Sequence, residues 1–523
     1  MEKRIAPEQQ TLTSLYRTCR RFVSRNLTSF QDMSLHDWAT HFRTDTWTYK
    51  FANGTSTVLE NVAGTRLNFS TIQTGQDLFD LVDLPPPDVA TTTAAASRPI
   101  SSTSSATQTV STSSVISSLV GYPSPLVIHP DGYTSGYFLP NSTIAVLAMQ
   151  GFIDTFETDN LAAPYQQAVI RAFLNESRKA GMTKLIVDLQ ANGGGDIFSG
   201  FDAFKQLFPT IAPFGASRLR ATPAANYMGE VFSAAGVYND TLNTLYQFQS
   251  SLDVNNHAFS NWNAEDGPVT IYGDNFTQEL RYNFSDPVVE FNAGLNVSGY
   301  LDESNLPPQL FQSEDIVLLY DGSCGSTCTV FSELMKAQGG VRSITLGGRP
   351  QVGPMQGVAG SKGAQVYTFG TITEIVSALP QALMAMVKKG LTPPALPPLE
   401  YIPNVFSKYP LGDSKTMASG SRFNLRNNMH DGDTTYTPLQ FIYEASNCKL
   451  FYTPSDIYDI SGLWERVAEV AWGTGKCVSG SSVNADHTFP ANAYDTVPFA
   501  AAAYSTVVQE YQPGLLKQKS AVV

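Results

Sequence analysis

A serine on a tight turn between an apolar run and a helical pattern could carry covalent chemistry in this chain. It is Ser326, within IVLLYDGSCGSTCTVFSELMK from Ile316 to Lys336. Ile316 to Tyr320 has the length and apolar character of a buried parallel strand. Small residues after Asp321-Gly322 then lead into a helical pattern from Val330 to Met335. A turn of this kind exposes a hydroxyl beside helix N-terminal amides, as a nucleophile requires. Ser326 or Thr327 capping the helix is the competing reading, because both residue types cap helices routinely. A second loop, Asn192-Gly193-Gly194-Gly195, closes another apolar run, Lys184 to Leu189. Its glycines let backbone amides converge on one point, so the amides of Gly194 and Thr327 are candidates for an oxyanion hole. A plain tight turn is the alternative. A phosphate loop is disfavoured, since no Gly-Lys-Ser/Thr follows.

Both loops need a sheet to hold them. Thr143 to Met149 reads as a strand, Ala163 to Ala180 as an amphipathic helix and Lys184 to Leu189 as a buried strand. A helix from about Ile197 to Leu207 follows, and Ser343 to Leu346 reads as a later strand. The alternation describes βαβ units, hence an α/β fold on a mostly parallel sheet with its ligand at the carboxyl ends of the strands. Residues 1–84 are expected to form a small, partial β-rich module with a hairpin, Trp47 to Phe51 and Ser56 to Leu59 around Asn53-Gly54. Residues 85–120 collapse to Ser, Thr, Pro and Ala and read as a disordered linker. Residues 121–480 read as the catalytic domain, with 216–312 an insertion forming a lid or wall, and 481–523 as a C-terminal extension.

The 523 residues carry a formal charge of −13, which argues against nucleic acid and anionic membranes as partners. No apolar run is long enough to cross a bilayer, and the first residues lack the apolar core of a signal peptide. Asn-x-Ser/Thr acceptors at Asn26, Asn53, Asn68, Asn141, Asn175, Asn239, Asn275, Asn283 and Asn296 nevertheless fit a secreted glycoprotein. The five cysteines are Cys19, Cys324, Cys328, Cys448 and Cys477. An odd number leaves at least one outside any internal pair. Cys448 with Cys477 is the preferred disulfide, while Cys324 and Cys328 are close enough to pair or could be small buried thiols. No Cys/His cluster has zinc-ligand spacing, so neither a metal nor a cofactor is expected.

KLIVDLQANGGG, Lys184 to Gly195, resembles the strand, Asp-Leu-Arg and Asn-x-Gly-Gly segment of the tail-specific or C-terminal-processing serine peptidases, family forty-one of the serine peptidases. Ser326 with Phe331-Ser332-Glu333-Leu334 resembles that family's nucleophile helix, and Gly347-Gly348-Arg349-Pro350 its Gly-Glu-Pro turn. The likeness covers roughly residues 137 to 365. It is nearest to the fungal branch related to the chlamydial protease-like factor, whose helix opens with a similar Ser-Thr-Cys. It implies a crotonase-like ββα catalytic core and hydrolysis of peptide bonds through a serine acyl-enzyme. Ser326 would attack while the Gly194 and Thr327 amides hold the oxyanion.

The resemblance leaves the general base open. Bacterial members use a lysine between glycines where this chain reads Val352-Gly353-Pro354-Met355. Lys362 is the nearest substitute and otherwise reads as an exposed loop lysine. The chlamydial type uses Ser, His and Glu. Glu444, in Phe441-Ile442-Tyr443-Glu444-Ala445, is the match for that acid, or else a surface or structurally paired glutamate. The expected Asp-Gly-His loop is not found among the six histidines. His36 and His41 are the early candidates, His129 reads as a turn residue, and His430 has no family counterpart. The absent histidine and signal peptide fall in one segment, so an N-terminally truncated chain or a degenerate paralogue is expected. Some fungal relatives lie in biosynthetic clusters for ribosomal cyclic-peptide mycotoxins of the ustiloxin and phomopsin type, and the resemblance therefore implies processing of a precursor peptide. The alternative is a secreted pseudopeptidase that binds peptides without cleaving them. An α/β-hydrolase esterase is disfavoured, because the serine turn lacks the second glycine of Gly-x-Ser-x-Gly.

Overall fold

Seven strands build the central sheet of the computed structural model. Residues 46–50, 56–60, 74 and most of 121–498 are described, apart from 153–161, 237–243, 287–294, 349–351, 396–421 and a few scattered positions. In chain order the strands are β1 (Val127–Ile128), β2 (Thr134–Phe138), β3 (Ile144–Met149), β4 (Lys184–Asp188), β5 (Ile316–Tyr320), β6 (Arg342–Leu346) and β7 (Cys448–Leu450). They lie in the spatial order β7-β6-β5-β4-β3-β2-β1. The five from β3 to β7 are parallel, and β2 and β1 extend the β3 edge antiparallel. The expected mostly parallel α/β sheet is therefore present, with an antiparallel edge that the sequence pattern did not announce.

The strands are apolar on both faces because helices cover both. Leu147, Val187, Leu318 and Tyr320 point into one core, under α1 (Ala162–Lys179), α2 (Ile197–Leu207) and α3 (Thr327–Glu333). Their neighbours Val146, Ile186, Val317 and Leu319 point into the other, filled by Trp464 and Val467 of α4 (Ile460–Trp472). Burying a side chain such as Phe331 or Trp464, both 0% exposed, stabilises the fold by roughly 2–3 kcal/mol each.

The element starts follow local chemistry. α2 spans the expected residues and begins at Asp196, whose carboxylate accepts from the amides of Phe198 (2.7 Å) and Ser199 (3.2 Å). α3 runs from Thr327, three residues before the expected start, and passes into a π-helical turn over Leu334–Gln338. The hairpin near the N-terminus forms as Thr46–Lys50 against Ser56–Glu60. The linker expected at 85–120, Cys19, His36 and His41 lie outside the described residues.

The segment expected as an insertion does not pack alone. Val231 and Phe232 of the helix Pro223–Ala235, with Leu245 and Trp262, share a third apolar cluster with Tyr367, Ile375 and Met386. A three-stranded sheet joins the two stretches, with Arg422–Asn428 between Ala364–Thr368 and Ser217–Arg218. Pro380 sits in the first turn of a helix, Leu379–Lys388. Proline is tolerated there because the amide it lacks would have no intrahelical partner.

Candidate active site

β4 and β5 are neighbours, so the two loops that leave their carboxyl ends must meet. The β4 loop is Leu189 to Gly195 and the β5 loop is Asp321 to Ser326. Asp321, 2% exposed, binds them together. Its Oδ2 accepts from the Ala191 amide (2.9 Å) and its Oδ1 from the Ser323 amide (3.0 Å) and the Ser323 hydroxyl. Asn192 does the same from the other side. Its Nδ2 donates to the Met149 carbonyl (2.9 Å), and its own carbonyl accepts from the Gly325 amide (3.3 Å). Thr327 Oγ1 adds a third tie by donating to the Gly195 carbonyl (2.7 Å). The Asp-Gly that ends the apolar run was the sequence signal for the Asp321 loop, but its bridging role depends on a partner 130 residues away.

Ser326 occupies the N-cap position of α3 without acting as a cap: its side chain accepts no capping bond. Its backbone stands at φ +52°, ψ −124°, inside a turn closed by the Cys328 amide donating to the Gly325 carbonyl (3.1 Å). Those angles belong to the first central residue of a type II′ turn, where glycine is favoured. A serine held there costs on the order of 1–3 kcal/mol, and such strain persists only where the surroundings over-determine it. The hydroxyl is thereby kept off the helix backbone.

Gly194 lies directly against this serine. A Cβ added at Gly194 would stand 2.6 Å from the Ser326 Cβ, 2.7 Å from the Gly325 carbonyl oxygen and 3.0 Å from the Thr327 amide nitrogen. With φ +104°, Gly194 also needs a backbone conformation that side chains disfavour. The Gly194 and Thr327 residues expected to cooperate are thus brought together. The Gly194 N–H is donated to Asn192 Oδ1 (2.9 Å). Thr327, at the head of α3, contributes one of the first-turn amides that lack an intrahelical acceptor.

The expected acid has a different partner from the one sequence reasoning sought. Glu444 Oε2 pairs with Lys362 Nζ (2.8 Å) and Oε1 with Lys336 Nζ (3.2 Å). Burial pushes its carboxyl up, but the two ammonium groups outweigh that and hold it well below the usual carboxylate range. Lys362 is 2% exposed, not a loop lysine in solvent, and also donates to the Ile442 carbonyl (2.9 Å). The sequence missed Lys336, which reaches Glu444 across 108 residues.

His430 contacts Glu333 through Nδ1 (2.5 Å), and that hydrogen bond raises the imidazole above its ordinary value against the effect of burial. It does not touch Glu444. His129 is buried in a turn, as its Pro-Asp-Gly neighbours suggested, with its carbonyl accepting from Gly132 (2.8 Å). Among the described residues, no histidine or lysine hydrogen-bonds to Ser326.

Both internal disulfides form, Cys448–Cys477 as preferred and Cys324–Cys328 around Ser326. Among the described residues there is no group of His, Cys, Asp and Glu that could hold a metal, and no helix long and apolar enough to cross a membrane.

No protein-family model matches the chain. It is 33% identical over 455 residues to peptidase S41 family protein ustP of Aspergillus flavus, covering 83% of this chain and 90% of that protein. It is 29% identical over 396 residues to peptidase S41 family protein phomP1 of Diaporthe leptostromiformis, covering 69% of this chain and 58% of that one. Mature CPAF complexed with lactacystin aligns over 46% of this chain and 41% of its own, at 12% identity and a TM-score of 0.23. The photosystem II D1 C-terminal processing protease aligns over 41% and 36%, at 13% identity and a TM-score of 0.18.

Proposed function

Because the chain belongs to the S41 family of serine-type peptidases, we propose that Ser326 is its nucleophile and that it cleaves peptide bonds through an acyl-enzyme. The observation that carries this is the strained, uncapped Ser326 at the head of α3, packed against Gly194. Ser326 Oγ attacks the scissile carbonyl, its proton passes through a base to the leaving nitrogen, and the amine departs while the acyl group stays on the serine. The Thr327 amide faces the developing oxyanion. Gly194 joins it only once its N–H leaves Asn192 Oδ1. Glu444, tied to Lys336 and Lys362, stands behind the nucleophile helix as a positioning residue and not as the orienting acid of a histidine. A crotonase-like reading of the core is supported by two adjacent parallel strands, each feeding a helix through a glycine-bearing loop.

The substrate we propose is an extended peptide, in the narrower reading a ribosomal precursor of a cyclic-peptide mycotoxin. The identity to the two fungal proteins supports that reading. An oxidising, secretory setting is supported by two disulfides and by exposed acceptors at Asn141, Asn175 and Asn275. A secreted pseudopeptidase that binds peptides is favoured by one observation: among the described residues nothing basic meets Ser326, and Lys336 and Lys362 are engaged by Glu444.

A fluorophosphonate probe separates the two. The peptidase reading expects labelling of the native protein and cleavage of casein, both abolished in Ser326→Ala. A folded native protein that neither labels nor cleaves is the pseudopeptidase.

A further inference from the structure

The turn that carries Ser326 is closed covalently. Cys324 and Cys328 sit two residues to either side of the serine, and their disulfide makes a five-residue ring with Ser326 at its centre. The bond holds the two Cα atoms 5.3 Å apart. Four residues of extended chain would span roughly 13 Å, so the ring admits only a chain that doubles back within it. Both cysteines are 0% exposed. The ring is anchored at its first residue, where the Cys324 carbonyl accepts from the Ala359 amide (2.6 Å), and along the turn by the Cys328 amide on the Gly325 carbonyl.

We propose that the Cys324–Cys328 disulfide is a positioning element for the nucleophile: it keeps Ser326 in the left-handed turn that holds its hydroxyl away from the helix. This rests on the reading of Ser326 as the attacking residue. Without the ring, the serine can relax to the negative φ and capping geometry that Ser adopts at ordinary helix starts. Its hydroxyl would then bond to α3 and leave the spot beside Gly194. Complete burial of both sulfurs makes the bond a fixed part of the site and keeps it from solution thiols. A ring this small removes little chain entropy from the unfolded state, so its effect is local. Cys448–Cys477, separated by 29 residues, closes the longer loop and contributes more to global stability.

The test compares the native protein with C324A/C328A and with C448A/C477A. It reads the rate of fluorophosphonate labelling and, by crystallography, the φ of Ser326. The ring-opened protein is expected to label about tenfold to a hundredfold more slowly, the loss typical of a small misplacement of a reacting group, with Ser326 turned to negative φ. C448A/C477A is expected to label at the native rate despite the larger fall in melting temperature, an outcome that a merely structural role for Cys324–Cys328 would not give. Should the double variant not fold, Cys324→Ala and Cys328→Ala each open the same ring with one sulfur kept in the packing. Native-rate labelling of the ring-opened protein, or a retained positive φ, overturns the proposal. If the native protein itself does not label, the peptidase reading falls, and the φ of Ser326 in the ring-opened protein still decides the clamp.

Discussion

α2 and α3 leave adjacent strands and cross so closely that a Cβ at Gly200 would stand 2.6 Å from Thr327 Cγ2, yet they begin in opposite ways. α2 starts at Asp196, with φ −59° and a carboxylate that accepts from two first-turn amides. α3 starts at Ser326, with φ +52° and a side chain that accepts from none. Both are residue types that cap helices well, so residue identity does not explain the difference. The surroundings do. Asp196 follows three glycines, and its amide donates to the Phe152 carbonyl (2.5 Å), which leaves its side chain to cap α2. Ser326 is ringed by a disulfide, pressed by Gly194 and fixed through its neighbours to Asn192 and Asp321. One helix start is satisfied by its own side chain. The other is held so that its side chain is available to something else.

The close approach at Gly194 is where that contrast is easiest to break. Gly194→Ala places a methyl group where the Ser326 Cβ already is, at a φ that alanine disfavours. Neither neighbour is a flexible side-chain end, so the two loops must separate. The expected result is labelling about a hundredfold slower or worse, with a stability loss of about 2–3 kcal/mol. Native-rate labelling of Gly194→Ala would show that the contact between the loops is irrelevant to the reactivity of Ser326.

The parts of this contrast that repeat locally were legible in the sequence. β3, β4 and β5 are short apolar runs, and α1 and α2 have helical spacing, so each was placed within a residue or two of its observed span. The two loops were visible as small-residue breaks after apolar runs. What could not be read were facts set by distant partners. Cys448–Leu450 is three residues long and is a strand only because Arg342–Leu346 lies beside it. Lys362 looks exposed in Gly-Ser-Lys-Gly and is buried because Glu444 and the Ile442 carbonyl hold its ammonium group. The engagement of the Gly194 amide depends on which way the Asn192 side chain turns, and its spacing to Met149 is no periodic signal. The uncapped state of Ser326 is a backbone angle, which no residue type announces.

Asp196 sharpens the comparison through pH. Burial pushes its carboxyl up to about 6, against the two amides that it accepts from. A carboxyl raised in the folded state binds its proton more tightly there than in the unfolded chain. The ionised form is therefore a cost to folding that appears as pH rises above about 4 and is complete a little above 6. Asp196→Asn keeps a capping oxygen and removes the charge. It is expected to raise stability by about 1–2 kcal/mol at pH 8, with the gain shrinking as pH falls through 6 and absent near pH 4. Melting temperatures of the two proteins across that range measure it. A gain independent of pH would mean that the charge is not the source.

Ser326 itself gives the smallest and most pointed measurement. Ser326→Ala and Ser326→Gly both remove the hydroxyl, so neither should label or cleave. They differ in what the backbone meets. Alanine inherits the positive φ with a Cβ, whereas glycine adopts the first central position of a type II′ turn without that penalty. Were Ser326 at an ordinary helix start, Ser326→Gly would be a few tenths of a kcal/mol less stable than the native protein. Held at +52° with no capping bond to lose, Ser326→Gly should instead be more stable than the native protein by about 1 kcal/mol, read as a higher denaturant midpoint at unchanged slope. That sign matters more than its size, because it separates a serine forced into the turn from one that merely begins a helix. Equal midpoints would mean that no strain is stored at the head of α3, and the contrast with Asp196 would reduce to a missing hydrogen bond.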